Sequence, residues 1–348
     1  MRTLLITGGA GYIGSHTCLC LLNHGYEIYV VDSFSNSSWE VFEKVSYILR
    51  KGNNFNKKNL NVYEGNIKDE KILEEIFSTA SDKGRPIQGV VHFAGLKSVK
   101  ESVLNPISYW DENLIGTINL LEKMDQHNCR KIVFSSSATV YGDNLSGSLF
   151  NESSPIRPAS PYGQTKATIE NLLKNMYEIP SKNWSIINLR YFNPIGAHSS
   201  GLIGESSLGM PENIFPIICQ VASGKRPKLY IFGNDWPTRD GTCERDFIHV
   251  EDVAESHEIA IDYLFLSKKK FLNLNIGRGK YTSVLELISV FEKVNNLNIS
   301  FEFIDRREGD ISRSYADVSL ASKILNWQAK KSLEDMCIDG WRWQLNQS

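Results

Sequence analysis

Six short apolar runs, Thr3–Thr7, Ile28–Val31, Asn61–Glu64, Val90–Phe93, Ile132–Ser135 and Ile186–Arg190, alternate with amphipathic segments through the first 190 residues. Most are β-branched or aromatic, the composition of strands buried on both faces of a parallel sheet. Helical periodicity fills the gaps, as in Tyr12–His24, which stops at Gly25, where a left-handed cap costs glycine least. Strand and helix in rotation predict a doubly wound parallel α/β sheet. The longest interruption is Ser33–Asn59. Its start, Ser37-Ser38-Trp39-Glu40, has the form of a capping box, and its end, Lys51–Asn59, reads as a polar surface loop.

Past Arg190 the rotation fades. Pro194, Gly196, Gly201, Gly204, Gly209 and Pro211 open a long irregular segment, after which helical patterns recur near Ile214–Ser223, Val253–Leu266, Ser283–Val294 and Ser332–Leu345. Residues 191–348 therefore read mainly as a second, smaller α/β domain, and 348 residues suit two domains of ordinary size. With 38 Lys+Arg against 40 Asp+Glu, the chain lacks the basic excess expected of a nucleic-acid binder. No run approaches the roughly 18 apolar residues that cross a bilayer, and Met1-Arg2 leads straight into a strand without signal-peptide features. The six cysteines are scattered, with no Cys-x-x-Cys pair. That pattern fits reduced thiols in a cytoplasmic protein rather than a disulfide framework or a zinc site, so no metal is expected.

Gly8-Gly9-Ala10-Gly11-Tyr12-Ile13-Gly14 lies between the first strand and the first helix. There Gly8 permits a tight turn, Gly11 a close approach of backbone to a pyrophosphate, and Gly14 close helix–strand packing. The helix N-terminus supplies N–H donors and partial positive charge to the same phosphates. The second strand ends in Asp32, an acid that can accept hydrogen bonds from an adenosine ribose and that repels a 2′-phosphate. Ser33–Ser38 offers no Arg or Lys to such a phosphate, so NAD is expected over NADP. A tight structural turn alone could use the same glycines; the setting between strand and helix, with Asp32 behind it, argues for the dinucleotide.

A second constellation follows. Tyr162 and Lys166 are spaced i, i+4 at the start of a helical segment, so phenol and ammonium share a face. Tyrosine is a poor base at its reference pKa of about 10, and lowering it by ~3 units takes about 4 kcal/mol. A nearby ammonium and a cationic nicotinamide both act in that direction. Ser137, at the end of the strand that closes in Ser135-Ser136-Ser137, is placed to hydrogen-bond a substrate hydroxyl and relay its proton to Tyr162. Taken alone, Tyr-x-x-x-Lys also fits an amphipathic surface pair.

Together these motifs resemble the extended short-chain dehydrogenase/reductase superfamily, and within it the UDP-glucose 4-epimerase family. The likeness runs through Gly8–His16, His92–Lys97, Phe134–Gly142, Ser160–Gly163, Leu189–Pro194, Ile231–Asp235, Arg245–Val250 and Arg306–Asp310, and so spans the chain. It implies a Rossmann domain over 1–190 that binds NAD. A UDP-sugar domain would cover most of 191–348, with a segment near 235–265 returning to the first. The implied reaction is reversible inversion at C4 of a UDP-hexose, with Tyr162 as base, Lys166 on the nicotinamide ribose and Ser137 on the 4′-hydroxyl. By the same resemblance, Tyr12, Ile13, Asn36, Asn66, Ile67, Phe93, Ala94, Gly95, Lys97, Asn113 and Tyr191 contact the cofactor. Asn193, Asn213, Phe232, Arg245, Arg307, Asp310 and Ser314 would face the sugar nucleotide. A homodimer built on a four-helix contact is also implied.

Three residues depart from the family's pattern. Ser33 replaces an asparagine common beside the ribose acid. Asn66 replaces an aspartate that faces the adenine amino group, so its amide oxygen would accept that bond without full charge. Ser314 stands where some bacterial members carry tyrosine, which leaves room for a 2′-acetamido group. Two other readings share much of the machinery. A sugar-nucleotide 4,6-dehydratase needs an acid and a base just after the catalytic hydroxyl residue, where this chain has Ala138-Thr139-Val140. A non-catalytic NAD sensor could dispense with Tyr162 and Lys166, yet both are present.

Overall fold

The computed structural model describes the chain except residues 53–58, 143–148, 207–210, 212, 308–309 and 348. Most of the expected polar loop at Lys51–Asn59 therefore lies outside the described residues. The chain divides into two compact units, the first formed by Met1–Val140, Pro158–Arg190 and Ala254–Leu274, the second by Tyr141–Arg157, Tyr191–Val253 and Asn275–Ser348. The segment that rejoins the first unit is thus Ala254–Leu274, and Tyr141–Arg157 leaves it.

The first unit runs β1 (Thr3–Thr7), α1 (Tyr12–Asn23), β2 (Glu27–Asp32), α2 (Glu40–Lys51), β3 (Leu60–Glu64), α3 (Glu70–Asp82) and β4 (Gly89–His92). It continues through α4 (Val99–Leu104), α5 (Pro106–Tyr109), a π-helical stretch at Trp110–Ile115, α6 (Gly116–Gln126), β5 (Lys131–Ser137), α7 (Pro161–Glu178) and β6 (Ser185–Tyr191). Together with β11 (Phe271–Ile276), these strands form one sheet in the order β11-β6-β5-β4-β1-β2-β3. β1 pairs in parallel with β2 and β4, β2 with β3, and β4 with β5. The strand order reverses between β1 and β4, and open α/β sheets bind ligands at the carboxyl ends of strands at such a switch. Leu4, Leu5, Ile6, Val90 and Val91 have no exposure at all, as strands covered on both faces require. Gly25 takes the left-handed φ of 82° that ends α1. The capping box at α2 does not form: Ser37 donates instead to Asp32 Oδ1, and Trp39, in helical conformation, precedes the helix.

The second unit holds β7 (Asn193–Ile195), α8 (Ile214–Ala222), β8 (Leu229–Phe232), β9 (Glu244–Arg245) and β10 (Phe247–His249). α9 (Val250–Leu266) leads back to the first unit. After β11 come β12 (Thr282–Ser283), α10 (Val284–Asn295), β13 (Phe301–Ile304), β14 (Arg313–Ser314), α11 (Ser319–Leu325) and α12 (Leu333–Leu345). Three small sheets, β10-β7, β12-β9-β14 and β13-β8, surround a separate core that includes Phe215, Phe247, Leu287, Phe291 and Met336.

Candidate active site

The glycine loop is close-packed on its inner side and bare on its outer side. Gly8 has φ 70°, and a Cβ there would lie 2.6 Å from the Ala94 nitrogen, so the loops after β1 and β4 touch at the switch point. A Cβ on Gly14 would fall 2.3 Å from the Gly8 carbonyl oxygen, whereas one on Gly11 would meet that oxygen alone, at 3.4 Å. Gly11 caps α1 with no side-chain hydrogen bond. An uncapped helix N-terminus behind an open glycine backbone is the form a diphosphate requires.

Asp32 ties this loop to β2. Its Oδ2 accepts from Ala10 N at 2.8 Å, and its Oδ1 from Phe34 N at 2.9 Å and Ser37 Oγ at 3.0 Å. A carboxylate offers about four lone-pair sites, so room remains for a ribose hydroxyl. Phe34 is held left-handed at φ 52°, a strained state for a bulky residue and one that leaves no mark in the residue pattern. The acceptor capacity left on Asp32 and the bare loop fit a dinucleotide.

The remaining cofactor candidates divide. Tyr12, Ile13, Phe93 and Ala94 are partly buried around the loops, while Asn36, Gly95 and Lys97 are exposed. Ile67 and Tyr191 are buried, and the Ile67 side chain packs on Gly116. Asn113, 1% exposed, clamps the β4 loop: its Oδ1 accepts from Leu96 N at 2.7 Å, and its Nδ2 donates to Leu96 O and Thr165 Oγ1 at 3.1 Å. Its side chain is thus spent on positioning that loop. Asn66 is also engaged, donating to Glu112 Oε2 at 3.0 Å and accepting from Lys68 N at 2.9 Å. The oxygen expected to face adenine thus already carries one bond.

Ser160 and Pro161 open α7, the serine accepting from Gly163 N at 3.1 Å and the proline sitting in the first turn. Gly163 lets that turn close on β5, since a Cβ would lie 2.8 Å from the Thr139 carbonyl oxygen. The Ser137 hydroxyl then faces the Tyr162 phenol and works to lower its pKa. Thr139 directs it: its N–H and O–H donate to Ser137 Oγ at 3.2 and 3.0 Å, leaving the serine's own proton for Tyr162. Lys166, 4% exposed, donates to the Ser135 carbonyl oxygen at 2.8 Å.

One expectation is corrected here. Without a bound cofactor the ammonium does not depress the phenol: burial pushes Tyr162 up to about 12, opposed only by the Ser137 bond. Burial likewise brings Lys166 down to about 8, opposed by the Glu170 carboxylate. Desolvation penalises both charged forms, and it outweighs the pairing predicted from spacing alone.

Two residues that sequence reasoning passed over lie behind this pair. Glu170 and Arg190, 6% and 2% exposed, form a two-pronged ion pair, with Nε to Oε1 at 2.9 Å and Nη2 to Oε2 at 2.5 Å. Ser136 adds a bond to Glu170 Oε1 at 2.5 Å. The available signals were a carboxylate four residues beyond Lys166 and an arginine closing an apolar strand. His92 is neutral, held near 3 by burial and the Lys166 charge, with its ring nitrogens bonded to Thr7 and Thr117.

In the second unit the structure gathers most of the sugar-nucleotide candidates. Arg307 lies over the Phe232 ring at 5.3 Å and pairs with Asp310 at 2.7 Å, and Arg245 approaches the same carboxylate at 4.0 Å. β14 pairs Ser314 with Arg245, and Asn193 N donates to the Asp246 carbonyl oxygen beside it. Asp246, fully buried, accepts from the Arg278, Gly279 and Ala316 amides and fixes this corner. Asn213 stands apart at the start of α8, donating to Glu205 Oε1 at 3.3 Å; among the described residues it shares no bond with the cluster.

Comparison with known proteins adds to this geometry. Residues 5–339 match the family model described as GDP-mannose 4,6 dehydratase. Over 341 residues the chain is 46% identical to a UDP-glucose 4-epimerase of Bacillus subtilis, covering 98% of this chain and 96% of that one. The chain belongs to the UDP-glucose 4-epimerase family. A Stenotrophomonas maltophila member of this family, crystallised with NAD and formylated UDP-arabinopyranose, superposes with a TM-score of 0.93 at 41% identity, covering 100% of this chain and 99% of that one. A UDP-Glc/GlcNAc 4-epimerase of Campylobacter jejuni gives a TM-score of 0.83 at 33% identity, covering 99% of this chain and 100% of that one. The epimerase and dehydratase readings part at Ala138–Val140, a single 3₁₀ turn without a carboxyl group.

Proposed function

We propose that the chain interconverts UDP-glucose and UDP-galactose by reversible inversion at C4, with NAD as cofactor. The single observation that carries this reading is the placement of Ser137, at the end of β5 and bonded twice by Thr139, against the Tyr162 phenol on α7, with Lys166 one turn further on. A sugar 4′-hydroxyl that donates to Ser137 Oγ would take the place of the Thr139 hydroxyl there, and its proton would pass through Ser137 to Tyr162. Bound NAD would supply reversible hydride exchange at C4 of the sugar. Tyr162 then gives the proton back through Ser137, and the sequence closes with no net change in protein or cofactor. Gly8, Gly11, Gly14 and Asp32 would hold the dinucleotide, and Lys166 the nicotinamide ribose. Phe232, Arg245, Arg307 and Asp310 would take the uridine diphosphate, where binding requires the Arg307–Asp310 pair to be shared with the ligand. The test is direct: NAD-loaded protein incubated with UDP-galactose should yield UDP-glucose. A 4-keto-6-deoxy product would support the dehydratase, and no product the sensor.

Ser314 favours a second substrate pair. A serine beside Arg245 leaves volume that an acetamido group can fill, and overpacking such a pocket costs about 1–3 kcal/mol. UDP-N-acetylglucosamine should therefore also be epimerised, and Ser314→Tyr should abolish that activity alone. Turnover of UDP-galactose without turnover of UDP-N-acetylgalactosamine would defeat the open-pocket reading.

The protein is also assigned to the cytoplasm, on its six free cysteines, and to a homodimer, on the apolar stripe of α4 and α5. No helix among the described residues is long and apolar enough to cross a membrane.

A further inference from the structure

Tyr162, Lys166 and Glu170 stand at successive i, i+4 positions on α7 and face three consecutive serines at the end of β5, two of which bond Lys166 and Glu170. The Ser137 hydroxyl meets the phenol, the Ser135 carbonyl oxygen accepts from the ammonium at 2.8 Å, and the Ser136 hydroxyl donates to the carboxylate at 2.5 Å. The last of the three is the most constrained, because Arg190 of β6 grips Glu170 by both oxygens. A helix fixed to two adjacent strands at its third turn cannot slide or rotate at its first without breaking those bonds. We propose that Glu170 is a positioning residue for the epimerisation: clamped by Arg190 and Ser136, it sets the register of Tyr162 and Lys166 against β5 and holds Lys166 in its charged form. The inference rests on the epimerase reading above.

The surroundings of Lys166 leave that second task to Glu170. Facing the ammonium are Tyr162 and Glu170 from its own helix, Phe134 and Ser135 from β5, and neutral His92 from β4, with Arg190 behind the carboxylate. Carboxylates on the segments packed against α7 are engaged elsewhere, Glu101 with Tyr109, and Asp111 and Glu112 with Lys68. Burial works against the ammonium, and Glu170 is the negative charge that opposes it.

Two measurements on NAD-loaded protein test this. The Lys166 titration is followed by NMR with isotope-labelled lysine, assigned through Lys166→Met, and kcat for UDP-galactose is followed against pH. An ammonium that loses a neighbouring negative charge deprotonates at lower pH. Glu170→Gln should therefore lower the Lys166 midpoint by about one pH unit, the smaller end of what a nearby opposite charge is worth. The basic limb of kcat should move down with it while KM stays unchanged, because the carboxylate is turned to Ser136 and Arg190. Should the single variant fail to fold, Glu170→Gln with Arg190→Met avoids an unpaired guanidinium behind Lys166 and should shift both readouts in the same direction. An unchanged Lys166 midpoint and kcat profile in a folded variant, with only the melting temperature lowered, would overturn the proposal. Native protein that leaves UDP-galactose untouched would instead overturn the epimerase reading, and the Lys166 titration would still decide whether Glu170 sets that charge.

Discussion

Burial drives Tyr162 up to about 12 and Lys166 down to about 8, so without NAD the phenol is protonated at neutral pH. Bringing the phenol from there to neutrality takes about 7 kcal/mol at 1.36 kcal/mol per unit. A cationic nicotinamide beside the ring is the missing contribution, and its sign is fixed, since positive charge favours phenolate. Ultraviolet difference titration against Tyr162→Phe should therefore place the phenolate far above neutrality in NAD-free protein and lower once NAD is bound; a midpoint indifferent to NAD would refute this. In turnover the same variant should lose at least ~10²-fold in kcat while retaining UDP-sugar, the lower range for a lost general base. Asn66 is a case in which structure reverses a sequence argument. Charge alone would favour aspartate there for holding the adenine amino group, but the Asn66 amide donates to Glu112 Oε2 at 3.0 Å. Asn66→Asp would set two carboxylates against each other, and like charges so close disfavour ionisation. We expect NAD binding, measured by calorimetry, to be no tighter in this variant, and to tighten when Glu112→Asn is added.

Elements were legible where burial speaks through composition and illegible where it does not. All six expected strands form within two residues of their apolar runs, because a strand covered on both faces has no other composition available to it. The π-helical stretch at Trp110–Ile115 carries no comparable mark, since one extra residue in a turn barely alters the apolar spacing. The α2 capping box failed because Asp32, committed to the glycine loop, recruits Ser37. In the site, Tyr162, Lys166 and Ser137 were visible as residue types with known chemistry. Thr139 and Glu170 act only through bonds to those residues, and a single sequence does not display such bonds. The glycine loop gives a prediction at this scale, because its glycines serve different ends. Gly14→Ala puts a Cβ 2.3 Å from the Gly8 oxygen and should lower stability by about 1–3 kcal/mol in thermal or urea melts. Gly11→Ala meets that oxygen only at 3.4 Å, so it should melt close to the native protein yet bind NAD more weakly, its methyl standing where the pyrophosphate approaches. Equal stabilities for the two variants would mean that the loop is not close-packed on itself.

For the molecule as a whole, each unit carries its own core, and the surface features that stand out differ between them. On the first unit, Val99, Val103, Leu104 and Ile107 of α4 and α5 are 45%, 61%, 70% and 82% exposed. They lie on two short consecutive helices, and α4 packs on α7, whose Ala167, Thr168 and Asn171 line a shallow cavity of about 340 Å³ with Trp110. Single exposed apolar residues are ordinary, but four within nine positions form a contiguous patch, and a patch of that kind is a usual mark of an association surface. A second copy is the occupant favoured here, since a two-fold contact lets the same stripe cover itself without a dedicated partner. Because α7 also carries Tyr162, Lys166 and Glu170, burying its outer neighbours would stiffen the helix that sets the catalytic register. Val103→Glu with Ile107→Glu should therefore convert a dimer into a monomer by light scattering, because charges at a desolvated contact are costly. The same variant should keep its NAD and lose activity in proportion to how far α7 loosens, read as faster amide hydrogen exchange between Tyr162 and Glu170. A native protein that sediments as a monomer at micromolar concentration would refute the dimer, and the stripe would then need another partner.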